Sequence, residues 1–324
     1  MADWVRLGCS AASAWLLSLG SAQAEPLRIF YFDWAGYGPF FLAQEQGFYE
    51  REGIQLELIP VADSHAAYAG LFSGQVDAVA AAFQDIPFFA TLDDRLVCVL
   101  AISEPIGMDG IVAHESIETI FDLKGRTIAF EEGSSTQFYL GVALREAGLS
   151  QSDVETIEIP DSDAVTAFLS GEVDAISTFG GMLIEASRAS QAHVLIDTSE
   201  QPGIIVDCLI TTAERLQARE HDFEALGRAW DATIDHLEAN PDMGITIMAA
   251  GLGGTHRDPE LFSEAFEKIR FYDGERNVEY FGTPERPGPI YETAQVAIEV
   301  WFSIGVRKME LSPADIIAHS VWDE

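Results

Sequence analysis

The chain has 324 residues with 53 acidic and 18 basic side chains, a net charge of −35, and is 48% hydrophobic and 22% charged. That length exceeds one ordinary core, so two domains are the natural reading, and the apolar content excludes a disordered chain. The carboxylate excess excludes nucleic acid and anionic lipid headgroups as partners, because close approach would concentrate like charge.

In chain order, residues 1–24 read as a signal peptide. Arg6 is the only cation of a short n-region, Leu7 to Leu19 is an apolar or small-residue core, and Ala22-Gln23-Ala24 offers small residues for cleavage after Ala24. Its loss removes Asp3 and Arg6 and leaves the charge at −35. It is too short and too weakly apolar to span a bilayer, and no later window approaches ~20 uninterrupted apolar residues. The mature protein is therefore expected to be soluble and exported.

Leu27–Phe32 is predicted as a strand, Pro39–Gln46 as a helix opened by Pro39 and closed by Gly47, and Ile54–Ile59 as a second strand. Ser64–Phe72 reads as a helix with Asp63 as its N-cap, Ala78–Ala82 as a strand, Asp85–Leu92 as a helix and Leu96–Ser103 as a strand. The pattern then restarts. Thr127–Phe130 and Glu155–Ile159 read as strands, Ser134–Ala147 and Ala164–Leu169 as helices. Strand–helix alternation of this kind implies mostly parallel sheets flanked by helices. Ser73-Gly74-Gln75-Val76-Asp77-Ala78 recurs 97 residues later as Ser170-Gly171-Glu172-Val173-Asp174-Ala175, each time between a helix and a strand. The repeat implies two similar α/β lobes. From Thr212 onward the chain is mainly helical; its aromatic and aliphatic stripes, such as Phe223, Leu226, Trp230, Ile234 and Leu237, are read as packing on the first lobe. Cys98 and Cys208 lie in β-like runs and read as buried free thiols, although an oxidising compartment permits a disulfide if those strands adjoin.

Ligands of open α/β sheets bind outside the carboxyl ends of the parallel strands. Four loops are therefore expected to meet at a cleft. The first holds Trp34, Gly36 and Tyr37, aromatics set among glycines where a flat or cationic ligand can stack. The second is Phe83-Gln84-Asp85. The third, Glu131-Glu132-Gly133-Ser134-Ser135-Thr136, opens a helix whose free N–H groups and hydroxyls suit an anion, against the opposite preference of Glu131 and Glu132 if either points into the cleft. The fourth is Thr178-Phe179-Gly180-Gly181. Asp109 and Asp207 sit where the chain would cross between lobes, either to bind ligand or to hold the hinge. No nucleophile triad, metal-ligand spacing or phosphate loop is present, so no catalytic residue, metal or cofactor is expected. The acid is spread along the whole chain, which favours adaptation to high salt over steering of a cationic ligand.

Several motifs in order carry a resemblance: Gly36-Tyr37-Gly38-Pro39, Gly47-Phe48-Tyr49-Glu50-Arg51-Glu52-Gly53-Ile54, both Ser-Gly-x-Val-Asp-Ala repeats, Asp109-Gly110-Ile111-Val112-Ala113, Asp122-Leu123-Lys124-Gly125-Arg126-Thr127-Ile128-Ala129 and Pro202-Gly203-Ile204-Ile205-Val206-Asp207. From about Leu27 to about Glu299 the chain resembles the nitrate/taurine/sulfonate and pyrimidine-precursor substrate-binding proteins of ABC importers. The resemblance implies an α/β, two-lobed type II periplasmic-binding-protein fold with a ligand cleft between the lobes. It further implies a first lobe of residues 25–108 and 206–324 and an inserted second lobe of residues 109–205. The function implied is periplasmic capture of a small organic ion, of the sulfonate, taurine-like, nitrate or aminopyrimidine class, by a monomer that docks on an ABC permease with its ATPase subunit. Phe179-Gly180-Gly181 departs from the aromatic-Glu-Pro of many relatives, which implies a wider or differently polar pocket wall. The pyrimidine-forming enzyme branch carries a cysteine cluster that is missing here, so binding is expected rather than catalysis; a receptor feeding a membrane kinase is the other alternative.

Overall fold

The alanine-rich and β-branched runs form strands β1 (Leu27–Tyr31), β2 (Leu56–Pro60), β3 (Ala78–Ala82), β4 (Leu96–Pro105), β5 (Asp109–His114), β6 (Thr127–Phe130), β7 (Glu155–Glu158), β8 (Ala175–Phe179), β9 (Ala192–Asp197), β10 (Asp207–Thr212) and β11 (Ile269–Phe271). The computed structural model describes residues 25–91, 95–257, 259–305 and 310–322. The predicted signal peptide, and Leu92 at the end of the predicted Asp85–Leu92 helix, lie outside them.

One sheet has the order β11-β4-β10-β3-β1-β2 and the other β7-β6-β8-β5-β9, so the fold is α/β with two sheets. Both sheets are mixed rather than mostly parallel, which corrects the sequence expectation. β1 runs parallel to β2 and β3, and β6 to β7 and β8. β10 is antiparallel to β3 and β4, β11 to β4, and β5 to β8 and β9. The reason is connectivity. β4 and β5 belong to different sheets and only residues 106–108 join them, so the chain passes straight from the first sheet into the second, and β5 enters it running against β8 and β9. The chain returns to the first sheet between β9 and β10, again without a long helix.

The repeated hexapeptide does the same work twice. Gly74 and Gly171 stop their helices at φ 75° and 76°, in the left-handed region where a side chain would be strained. Asp77 then accepts the N–H of Arg28 and Asp174 that of Thr127, both at 2.9 Å, which clamps each following strand to its neighbour.

Helix Glu220–Ala239 packs on the first sheet's side, with Trp230 5.1 Å from the Phe40 ring and its indole N–H donated to the Tyr272 carbonyl at 2.7 Å. The later helix Ile290–Ser303 packs on the first lobe as expected and also reaches the other lobe, which the sequence did not suggest. Trp301 packs between Phe88 and Phe138, at 5.1 and 6.4 Å, and donates its indole N–H to Gln84 O. Phe138 belongs to helix Ser135–Glu146 of the other lobe, whose Gly141 leaves room for Val300 and Ile304. The cysteines also depart from the free-thiol reading. β4 and β10 adjoin, and Cys98 and Cys208 form a disulfide with Cα atoms 5.8 Å apart.

Candidate functional site

The carboxyl ends of β1, β3, β6 and β8 point at one another across the gap between the sheets, and a cavity of about 260 Å³ lies where they meet. This is the place an open α/β sheet offers a ligand. Of the predicted residues, Trp34, Tyr37, Asp85, Asp109, Ser134, Ser135, Phe179 and Asp207 line it together.

The others are near but serve differently. Gly36 lies so close under the Trp34 indole and Ser103 that any side chain would displace them. Phe83 is wholly buried in the core behind the wall. Gln84 braces the return crossing, donating to Ile204 O at 2.8 Å and accepting from Val206 N at 3.3 Å. Glu132 is turned out and sits 3.4 Å from His65. Gly133 packs beneath Phe88 and Phe89, and Gly180 against the face of Trp34. Thr136 points its hydroxyl at Asp161, 3.2 Å away.

Asp207, at the first position of β10, is the organiser of the first lobe's wall. It accepts from the Trp34 indole at 2.8 Å, the Tyr37 hydroxyl at 3.1 Å and Ser103 Oγ at 2.6 Å. Burial pushes its carboxyl up to about 6, against the lowering effect of these three donors. Trp34 is therefore aimed by Asp207, and its ring meets Phe179 of the second lobe edge-on at 6.4 Å. Asp109 is also raised well above the carboxylate range, by burial first and by Asp207 second, with a hydrogen bond from Ser135 opposing. Asp85 is raised by burial and then by Glu131, Asp207, Asp161 and Asp109.

Two acids escaped the sequence list of site residues. Glu131 is buried and accepts Ser64 N at 2.7 Å and Asp161 N at 3.4 Å, so it caps two helices, one from each lobe. Asp161 opens helix Asp161–Leu169 and lines the cavity. A signal for Asp161 existed. Helices Ser64–Phe72 and Asp161–Leu169 stand in the same 97-residue register as the hexapeptides, so Asp161 is the counterpart of Ser64. Phe32, Met182 and Ile205 add apolar lining that nothing in the local sequence marked. Among the described residues no group of three His, Cys, Asp or Glu side chains is arranged to hold a metal ion, and no helix is long and apolar enough to cross a membrane.

Comparison with known proteins agrees with this architecture. Residues 34–243 match the family described as NMT1/THI5 like. A binding protein of Brucella abortus is 28% identical over 170 residues, 52% of each chain, so this chain spans about half the length of that relative. An aliphatic sulfonates-binding protein of Escherichia coli is 46% identical over 91 residues, 28% of each chain. The crystal structure of the periplasmic aliphatic sulphonate binding protein of Escherichia coli superposes with a TM-score of 0.70 at 20% identity, covering 92% of this chain and 99% of that one.

Proposed function

The chain belongs to the NMT1/THI5-like family, and we propose that it is an exported solute-binding receptor of an ABC-type importer. It closes two lobes over a small molecule and presents the closed form to a permease and its ATPase subunit. The lobes are residues 25–108 with 206–324, and 109–205. The signal peptide is removed after Ala24, and the receptor works in the periplasm as a monomer. The Cys98–Cys208 disulfide suits that oxidising compartment. The names of the relatives support a binding role rather than catalysis.

The observation that carries this reading is the way the cavity is closed from both sides. Ser64 N on the first lobe donates to Glu131 on the second at 2.7 Å, and Trp34 meets Phe179 and Gly180 across the gap. Contacts of this kind favour the closed state only while both lobes are together, so occupancy becomes shape.

The reading is tested by a thermal-shift screen of the purified protein against a solute library spanning all charge types. A solute at 100 times its Kd stabilises the fold by about 2.7 kcal/mol. Each hit should also reduce the radius of gyration in small-angle scattering, and Glu131→Ala should lessen that reduction. A library without a single hit overturns the receptor reading.

A further inference from the structure

The sequence leaves the charge preference of the cleft open, because the Ser134–Thr136 turn invites an anion and the neighbouring acids a cation. The structure shows that the invitation to an anion is already answered from within the chain. Ser134 Oγ donates to Glu131 O at 2.8 Å, lies 2.7 Å from Thr136 Oγ1 and accepts Thr136 N at 3.2 Å. The Ser135 hydroxyl acts on Asp109, lowering its carboxyl against the rise from burial, and Thr136 Oγ1 donates to Asp161 at 3.2 Å. The hydroxyls of the helix start are thus occupied by groups of the chain itself, one of them the Asp161 carboxylate.

Six acids, Asp33, Asp85, Asp109, Glu131, Asp161 and Asp207, line the cavity, and among the described residues no lysine or arginine does. At the rim His256 Nε2 lies 2.9 Å from Asp33 Oδ1. Of the inner five, Asp207 has three donors, Glu131 two backbone N–H groups, and Asp109 and Asp161 a hydroxyl each. Asp85 differs. It is 3% exposed, and its Oδ1 is buried in the wall with no hydrogen-bond partner. A buried carboxylate oxygen left unpaired is costly, and one that a fold retains beside a cleft calls for a partner from outside the chain.

Resting on the receptor reading above, we propose that the cleft selects a small organic cation whose protonated nitrogen bears N–H donors, an amine, amidine or guanidine, received by Asp85. The carbon skeleton lies against Phe32, Trp34 and Phe179, which supply apolar surface and ring faces for a cation. A quaternary ammonium has no N–H to offer the Asp85 carboxylate. A bare metal ion lacks the skeleton that the aromatics would cover. A sulfonate or nitrate would meet carboxylates on both walls with no cation to offset them.

The groups that act on Asp85 from the surrounding elements are Glu131, Asp207, Asp161 and Asp109, with the phenols of Tyr37 and Tyr68 also feeling its charge. All but the phenols oppose its ionisation, and a cation beside it favours the ionised form. Affinity should accordingly climb with pH until Asp85 is ionised in the empty cleft, and then level off.

The test uses putrescine and agmatine as probes, against methanesulfonate, taurine, nitrate and calcium chloride, in thermal shift and titration calorimetry at pH 8. Putrescine or agmatine should bind, and Asp85→Asn should weaken it by about 100-fold. The same variant should raise the melting temperature of the empty protein at pH 8, because it removes a carboxyl whose ionisation burial and four neighbouring acids oppose, and keeps the shape. Asp109→Asn should weaken the amine by about 10-fold through the loss of one nearby charge. Stabilisation by methanesulfonate or nitrate, or by calcium alone, overturns the cation inference and leaves the receptor reading standing. So does a failure of both amines while another solute of the wider library binds. Amine binding that Asp85→Asn leaves unchanged overturns the role of Asp85. If no solute of either screen binds, the receptor reading falls with it.

Discussion

Asp77 and Asp85 stand at opposite ends of β3, and both are buried, at 1% and 3% exposure. Their surroundings are opposite. Asp77, at the strand's entry, has Arg215 and Arg219 at 3.1 Å and Arg28 at 3.6 Å, and also accepts the Arg28 N–H. Asp85, past the strand's exit, has four acids as its electrostatic neighbours and an oxygen with no partner. The same side chain is thus fully paired at the end of the sheet that no ligand reaches, and left incomplete at the end where strands open on a cleft. The difference separates a carboxylate that holds the fold from one held ready for something outside it.

Removing Asp77 gives the largest expected effect. Asp77→Ala leaves three guanidinium groups around an emptied site and unclamps β1, at a cost of about 3 to 4 kcal/mol. That is within the range for breaking a buried ion pair, discounted because the arginines are partly exposed. Equilibrium denaturant unfolding measures it directly. A loss below about 1 kcal/mol would mean that the arginines are solvated well enough without their acid, and the contrast with Asp85 would collapse.

The cleft end should show itself next, as a pH dependence opposite to ordinary acid denaturation. Asp207 rises from 3.8 to about 6 in the folded protein. A raised carboxyl contributes stability that is fully present below its unfolded value and is lost as pH rises through its folded value. Two units at about 1.4 kcal/mol each give a loss of about 2 to 3 kcal/mol for the empty protein between pH 4 and pH 7.5. Asp85, Asp109 and Asp161, all raised by burial first, act in the same direction. Asp153, lowered to about 2 chiefly by the Ser150 backbone N–H, changes stability only in more acid solution, outside most of this window. Unfolding free energies across that range check the sign; a flat or rising profile would mean that the cleft acids are solvated.

How far this was legible beforehand depended on how local each cause is. Helix Ser64–Phe72 with its Asp63 cap, strand Ala78–Ala82 and the glycine stops follow from residues in contact along the chain, and the structure has them at those positions. The sheet directions did not follow, because β5 and β10 are strands by composition while their orientation is set by short links that cross between the two sheets. Trp301 was readable as a core residue; that it packs on Phe138 of the other lobe rests on the missing side chain at Gly141, some 160 residues earlier. Among the cleft residues, the loops could be named from strand ends. Which serine is used up by which acid required three dimensions, since Ser135–Asp109 and Thr136–Asp161 join separate elements. The sign of the cleft was therefore hidden while its position was not.

The smallest effect isolates the cause of the largest. Asp174 repeats Asp77's place in the second lobe and clamps Thr127 N at 2.9 Å, as Asp77 clamps Arg28 N. It differs in having one arginine, Arg126 at 3.6 Å, and in being far more exposed, at 35% against 1% for the side chain. If the arginine cluster makes Asp77 costly to lose, Asp174→Ala should cost about 1 kcal/mol or less, the worth of one solvated pair and one hydrogen bond. Added salt should reduce that cost further, because the pair is open to counter-ions. If Asp174→Ala instead matches Asp77→Ala, the backbone clamp common to both lobes carries the stability and the arginines do not. Burial without a cation at Asp85 would then be less exceptional than it is beside Asp77, and the unpartnered oxygen alone would have to mark the ligand site.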